Sequence, residues 1–221
     1  MKRLLTAFAL VALCIAPLSF AGGGDSKSKS KSEGSEKTLT PKQQAVAAYN
    51  QGIAQRDRAW KIEKRIAAAS DDGERAKLEE KMAKTFDGAA DAFKRAIRHQ
   101  PRMFEAHSDL GYCLRRVGKY EEALKHYNTA LEIEPTYANA IEYRGEAFLG
   151  LNRVDEAKEA YMTLFKGHSD QAPDLLTAFQ HYVAKQQEAG ENVEALAAWV
   201  AERTEIAGQS KTMSQLKDSN W

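Results

Sequence analysis

Laid against itself at a shift of 34 residues, the chain repeats. Ala89, Ala123 and Ala157 fall in register, as do Phe93, Tyr127 and Tyr161; Ala96 aligns with Ala130, and Pro101 with Pro135. A fixed period of this length marks stacked supersecondary units, none of which can bury its apolar face alone. From residue 41 onward Pro and Gly are sparse and apolar residues recur at three- and four-residue spacing, without strand-like alternation. Each unit therefore reads as two helices joined by a short turn. Ordinary amphipathic helices would be apolar at such positions but would not place Gly and Ala there at a constant interval. Gly111 and Gly145 fall on the first helix of a pair and Ala123 and Ala157 on the second, where a larger side chain would force the helices apart. Tyr127 and Tyr161 supply bulk to the core.

The clearest copy spans 104–135 and carries His107-x-x-Leu110-Gly111-x-x-Leu114, then Gly118, Tyr120, Ala123, Tyr127, Ala130 and Pro135. Another spans 138–169, with Ile141, Gly145, Phe148, Leu151, Val154, Ala157 and Tyr161. These residues resemble the tetratricopeptide repeat, with departures at Leu164, where the family usually has Ala, and at Ser169, where a closing proline is missing. The resemblance implies an all-α fold, a right-handed α-solenoid of about four antiparallel helix pairs.

The flanking copies are irregular. Upstream, Gly52 lies 37 residues before Ala89, whereas Gly111 lies 12 before Ala123. Tyr49, Ile53 and Trp60 continue one helical stripe, and Leu78, Met82, Phe86 and Phe93 another, so residues 41–101 read as a long helical hairpin turning near Ser70 to Gly73. Downstream, Leu175–Glu188 and Asn192–Glu205 form a pair within 173–207, with Gly190 standing 38 residues after Asn152. That slip of four fits a degenerate capping repeat. Residues 208–221 read as a polar, loose tail.

The N-terminus has a different character. Lys2 and Arg3, the apolar run Leu4 to Ala16, and Ser19-Phe20-Ala21 form a secretory signal over 1–21, with cleavage expected after Ala21. The apolar run is too short to span a bilayer and meets Pro17. Cys14 follows Leu13 rather than a small residue, so the lipid-attachment pattern fails there. Residues 22–40, rich in Ser, Lys and Gly, have little apolar surface to offset the entropy of ordering and read as a flexible linker. The expected location is the periplasm, or outside the cell.

Composition and spacing then remove several kinds of chemistry. The formal net charge of +1 lacks the basic excess of a nucleic-acid binder. The histidines, His99, His107, His126, His168 and His181, make no pattern at metal-ligand spacing. Cys113 and His107 do not share a helix face, and Cys113, the one cysteine left after signal removal, reads as a packed small residue. No catalytic residue, cofactor site or metal site is expected.

In the tetratricopeptide family the first helices line a concave groove that holds a peptide. Carried over by register, the groove places are Tyr49, Ile53 and Arg56, then Ser108, Tyr112, Arg115 and Arg116, then Glu142 and Glu146. The family's Lys-Asn clamp for a terminal carboxylate is not matched, since Tyr49, Ile53, Ser108 and Tyr112 stand at its places. The expectation is a non-enzymatic protein-interaction scaffold, an adaptor in assembly of envelope machinery with a protein or peptide partner. Alternatives are a regulatory subunit of a cell-wall enzyme, or an enzyme or small-ligand receptor using the groove. Replacing Tyr112 and Arg115 together is expected to weaken binding while sparing stability.

Overall fold

In the computed structural model the described residues run from Leu39 to Asp218, with side chains to Gln209; the signal segment and nearly all of the linker lie outside them. Eight helices follow one another: α1 (Pro41–Ala68), α2 (Asp72–His99), α3 (Phe104–Arg116), α4 (Tyr120–Ile133), α5 (Ala138–Gly150), α6 (Val154–Lys166), α7 (Ala172–Glu188) and α8 (Glu194–Asp218). They pair as α1–α2, α3–α4, α5–α6 and α7–α8, and each pair docks on the next.

Local chemistry sets the helix ends. Thr40 accepts the Gln43 N–H at 3.3 Å while the Gln43 side chain accepts the Thr40 N–H at 2.9 Å, a reciprocal cap with Pro41 in the first turn of α1. Asp71 caps α2 by accepting from Glu74 N at 2.7 Å. The turns inside the later pairs share one device. Gly118, Asn152 and Gly190 have φ of +80°, +59° and +78°. The residue after each donates its N–H five residues back, to Leu114, Phe148 and Gln186. Glycine tolerates this left-handed conformation and asparagine is the next best choice, which is why these residues recur there. The slip of four residues at Gly190 thus preserves the turn.

Close helix approach depends on the glycines of the first helices. A Cβ on Gly52 would lie 2.5 Å from the Phe93 ring, and one on Gly111 would lie 2.6 Å from the Tyr127 ring. Gly145 departs from this scheme: its Cβ would meet Leu175 of α7 at 2.6 Å. Tyr161 instead packs toward the last pair, edge-on to Trp199 and Phe179 with centroids 5.4 and 6.5 Å away. Ala123 and Ala157 are fully buried, as the period implies. Ala123→Leu is expected to cost about 1–3 kcal/mol by overpacking, read as a lower melting temperature, with exposed Lys125→Leu as the neutral comparison.

Two large apolar cores result, with a small cluster of Ala48, Ala96 and Ala106 beside the first. One gathers Phe86, Phe93, Leu110, Tyr112, Cys113 and Tyr127. The other gathers Tyr161, Leu164, Leu175, Phe179 and Val200. The tail differs from expectation, because α8 continues to Asp218 instead of ending near Glu205. No proline interrupts residues 206–218, and the interior Gly208 costs only about 1 kcal/mol, so the helix is not forced to stop.

A histidine pair links α3 to α4. His107 Nε2 donates to the Pro101 carbonyl at 3.0 Å, leaving its Nδ1 to accept from His126 Nδ1–H at 3.3 Å. Burial, then the neighbouring His107 and Lys94, pushes His126 down to about 4, opposed by Glu122. A folded-state value below the usual one for histidine means that stability is complete above about pH 6.5 and falls as pH drops toward 4. Urea midpoints measured across that window should decline more steeply for the parent than for His126→Gln.

Candidate functional site

The first helices α1, α3, α5 and α7 follow one another along the stack, and the residues that the sequence placed in a groove on them are all partly or fully buried. Asp109 on α3 organises the N-terminal part. Its carboxylate accepts from Tyr49 Oη at 2.8 Å and from Arg56 Nη1 at 2.5 Å, both on α1. Arg56 also lies over the Trp60 ring, 4.5 Å from its centroid. Burial pushes the Asp109 carboxyl above its ordinary range, although Arg56 and Tyr49 both pull it down. Desolvation therefore outweighs pairing at this carboxylate, as is common for buried ion pairs.

Tyr112 stands at the centre of the row. Its hydroxyl accepts from Trp60 Nε1 at 2.6 Å and from Arg116 Nη1 at 2.8 Å, and its ring meets Trp60, Phe86 and Tyr143. Arg116 is further held by Glu63 at 2.8 Å. Arg115 bridges to Glu146 on α5 and lies over the rings of Tyr112 and Tyr143. Such stacking suits a guanidinium, which is weakly hydrated and planar.

The expected groove residues thus separate by position. Tyr49, Arg56, Arg115, Arg116 and Glu146 come together along the row but are engaged within the fold: Tyr49 and Arg56 by Asp109, Arg115 by Glu146, and Arg116 by Glu63 and Tyr112. Ile53 is partly buried against the first core. Ser108 and Glu142 are buried at 1% and 7% exposure and belong to the helix interfaces. Tyr112 is 7% exposed, which corrects the expectation that its removal would spare stability. Sequence reasoning missed Asp109, Trp60, Glu63 and Tyr143. The spacing of Asp109 from Tyr112 and of Tyr49 from Arg56, three and seven residues, does put each pair on one helix face.

At the end of this row, Arg115, Arg116 and Glu146 form one wall of an open cleft of about 460 Å³. The other wall comes from α7, with Ala178, His181, Tyr182 and Lys185, and the floor from Leu149 and Gly150. Tyr120 closes one end, its ring lying where a Cβ on Gly150 would be, 2.5 Å away. Tyr182 donates to the Asn152 side chain. The α7 wall was hidden from sequence because the register slips by four residues between α5 and α7.

What these elements define is a stack of antiparallel helix hairpins, each buried against the next. Residues 104–137 match the family model described as tetratricopeptide repeat, so the chain contains a tetratricopeptide repeat at α3–α4. Several solved structures are similar. The first TPR domain of human RPAP3, determined by NMR, is 17% identical, with 63% of this chain and 98% of that chain covered and a TM-score of 0.44. The second TPR domain of human RPAP3 in complex with HSP70 peptide SGPTIEEVD is 21% identical, with coverage of 59% and 95% and a TM-score of 0.41. The second TPR of Spaghetti (RPAP3) bound to HSP90 peptide SRMEEVD is 22% identical, with coverage of 54% and 96% and a TM-score of 0.38. A comparison with curated proteins finds no match.

Proposed function

We propose that this chain is an exported, non-enzymatic interaction scaffold that holds a peptide segment of a protein partner in the cleft between α3, α5 and α7, and that it serves assembly of envelope machinery. The cleft carries the reading: it is open, it is lined mostly by first-helix residues, and it mixes aromatic rings with hydrogen-bond donors around a small apolar floor. Such a surface offers a peptide both contact area and directed polar partners. The signal-like residues 2–21 support export. Because Arg115 and Arg116 are engaged with Glu146, Glu63 and Tyr112, the α7 wall offers the freer contacts.

A photo-activatable residue installed at Lys185, and in a second chain at exposed Lys125 on α4, tests this in intact cells. Crosslinks to one protein from position 185, absent from position 125, are expected. Equal crosslinking from both positions, or none from 185, would remove the cleft as the binding site. N-terminal sequencing of the same protein should give Gly22 as the first residue; an intact N-terminus would remove the exported location.

A further inference from the structure

The long hairpin has its own cleft, on the edge of α1–α2 that carries Arg58, away from the Asp109 network. It has a volume of about 570 Å³ and is lined by Gln55, Arg58, Lys61, Ile62, Arg65, Lys81 and Thr85, with no carboxylate among them. Most acids of the hairpin are engaged outside the cleft. Glu63 holds Arg116, Asp71 caps α2, Asp72 pairs with Arg75, Glu80 with Lys84 at 2.6 Å, and Asp57 lies 3.6 Å from Arg56. Arg65 has only a distant contact with Glu74, 3.9 Å between two half-exposed side chains. Among the described residues no carboxylate pairs with Arg58, Lys61 or Lys81.

Gln55 adds a second observation. Gly88 on α2 leaves space for its side chain, since a Cβ there would stand 2.3 Å from Gln55 Oε1. The Gln55 amide thereby reaches the cleft with no hydrogen-bond partner among the described residues. Its paired donor and acceptor match a peptide group. Ile62 and the methylene stems of the cations provide an apolar floor. Arg58 and Arg65 are about 10 Å apart along α1, so the cations span about two turns of helix.

We infer that this cleft is a second, separate binding site, which takes an acidic peptide segment of a partner protein. Charge complementarity selects the occupant's carboxylates, and the Gln55 amide selects a peptide backbone. No aromatic ring lines the cleft, so base stacking by a nucleic acid has no platform there. Nor does any large exposed apolar side chain stand near it to enter a bilayer: among the described residues, Leu39 and Val46 are the large hydrophobics left exposed, and neither lines the cleft. The extra length of α1 and α2, 28 residues each against 13 and 14 for α3 and α4, creates this surface and is not needed to close a repeat.

The test is fluorescence anisotropy with a labelled peptide of about 12 residues made of Glu and Ala, titrated with the full chain at low and at physiological salt. Arg58→Glu/Lys61→Glu/Lys81→Glu is expected to weaken binding at least about tenfold, and the charge-matched Lys42→Glu/Lys125→Glu/Lys166→Glu less than about twofold. Gly88→Ala, which keeps every charge and displaces Gln55, is expected to weaken binding about threefold. Circular dichroism melts confirm that each variant is folded. Lys185→Glu, in the α3–α5–α7 cleft, should leave this affinity unchanged, so failure there and failure here are distinguishable. Absence of peptide binding by the parent, equal loss in the charge-matched control, loss in Lys185→Glu, or capture by phosphatidylglycerol vesicles without peptide binding would each overturn the assignment.

Discussion

Asp109→Ala is expected to destabilise the chain by about 3–5 kcal/mol, as when one partner is removed from a buried ion pair. Asp109 is 6% exposed and neutralises Arg56, whose side chain is only 17% exposed. Removing the carboxylate leaves the guanidinium and the Tyr49 hydroxyl without their acceptor, and the cost is that of orphaned groups more than of a lost attraction. Burial already holds the Asp109 carboxyl above its usual range, so the pair adds little over apolar packing. The variant Asp109→Leu combined with Arg56→Met should accordingly recover most of the loss, while either change alone should not. Denaturant midpoints of the four chains measure the coupling. A Leu/Met chain as unstable as Asp109→Ala would show that the pair is a net stabiliser.

Tyr112→Ala is expected to cost a further class of stability, about 3–5 kcal/mol, through loss of a large buried ring and the cavity left behind. The ring sits between Trp60 on α1, Phe86 on α2 and Tyr143 on α5, so its removal loosens three pairs of helices at once. Tyr112→Phe keeps the ring and deletes only the acceptor of Trp60 and Arg116. A smaller loss, about 1–2 kcal/mol, is expected for it. Chemical denaturation separates the two contributions. Equal stability for Tyr112→Ala and the parent would mean that α1 and α3 are held together elsewhere.

The architecture was legible because repetition amplifies weak local signals. One alanine at a helix crossing says little, whereas Ala89, Ala123 and Ala157 at a common interval say which faces touch. The lengthened hairpin was legible for a related reason: the stripe from Tyr49 to Trp60 continues past the point where α3 turns. Contacts between repeats were not legible, since no period specifies them. Gly145 aligns with Gly111, yet it meets Leu175 rather than a tyrosine of its own pair. Asp109 gave no sign of its role because a charged residue on an amphipathic helix ordinarily faces water, and its partners lie 53 and 60 residues away. The α7 wall of the cleft was concealed by an insertion that the turn at Gly190 absorbs without altering its geometry.

Division of most of the apolar interior between two large cores has a mechanical consequence. Helix α5 is the joint between them: Ala147 lies in the first core, Ile141 and Leu149 lie in the second, and Phe148 touches both. Interactions in such a stack extend mainly to nearest neighbours, so the two cores are coupled largely through α5. The cleft is built across that joint, with the arginines of α3 rooted in one core and α7 rooted in the other. A peptide of the kind proposed for it would touch both halves at once and so brace them against each other.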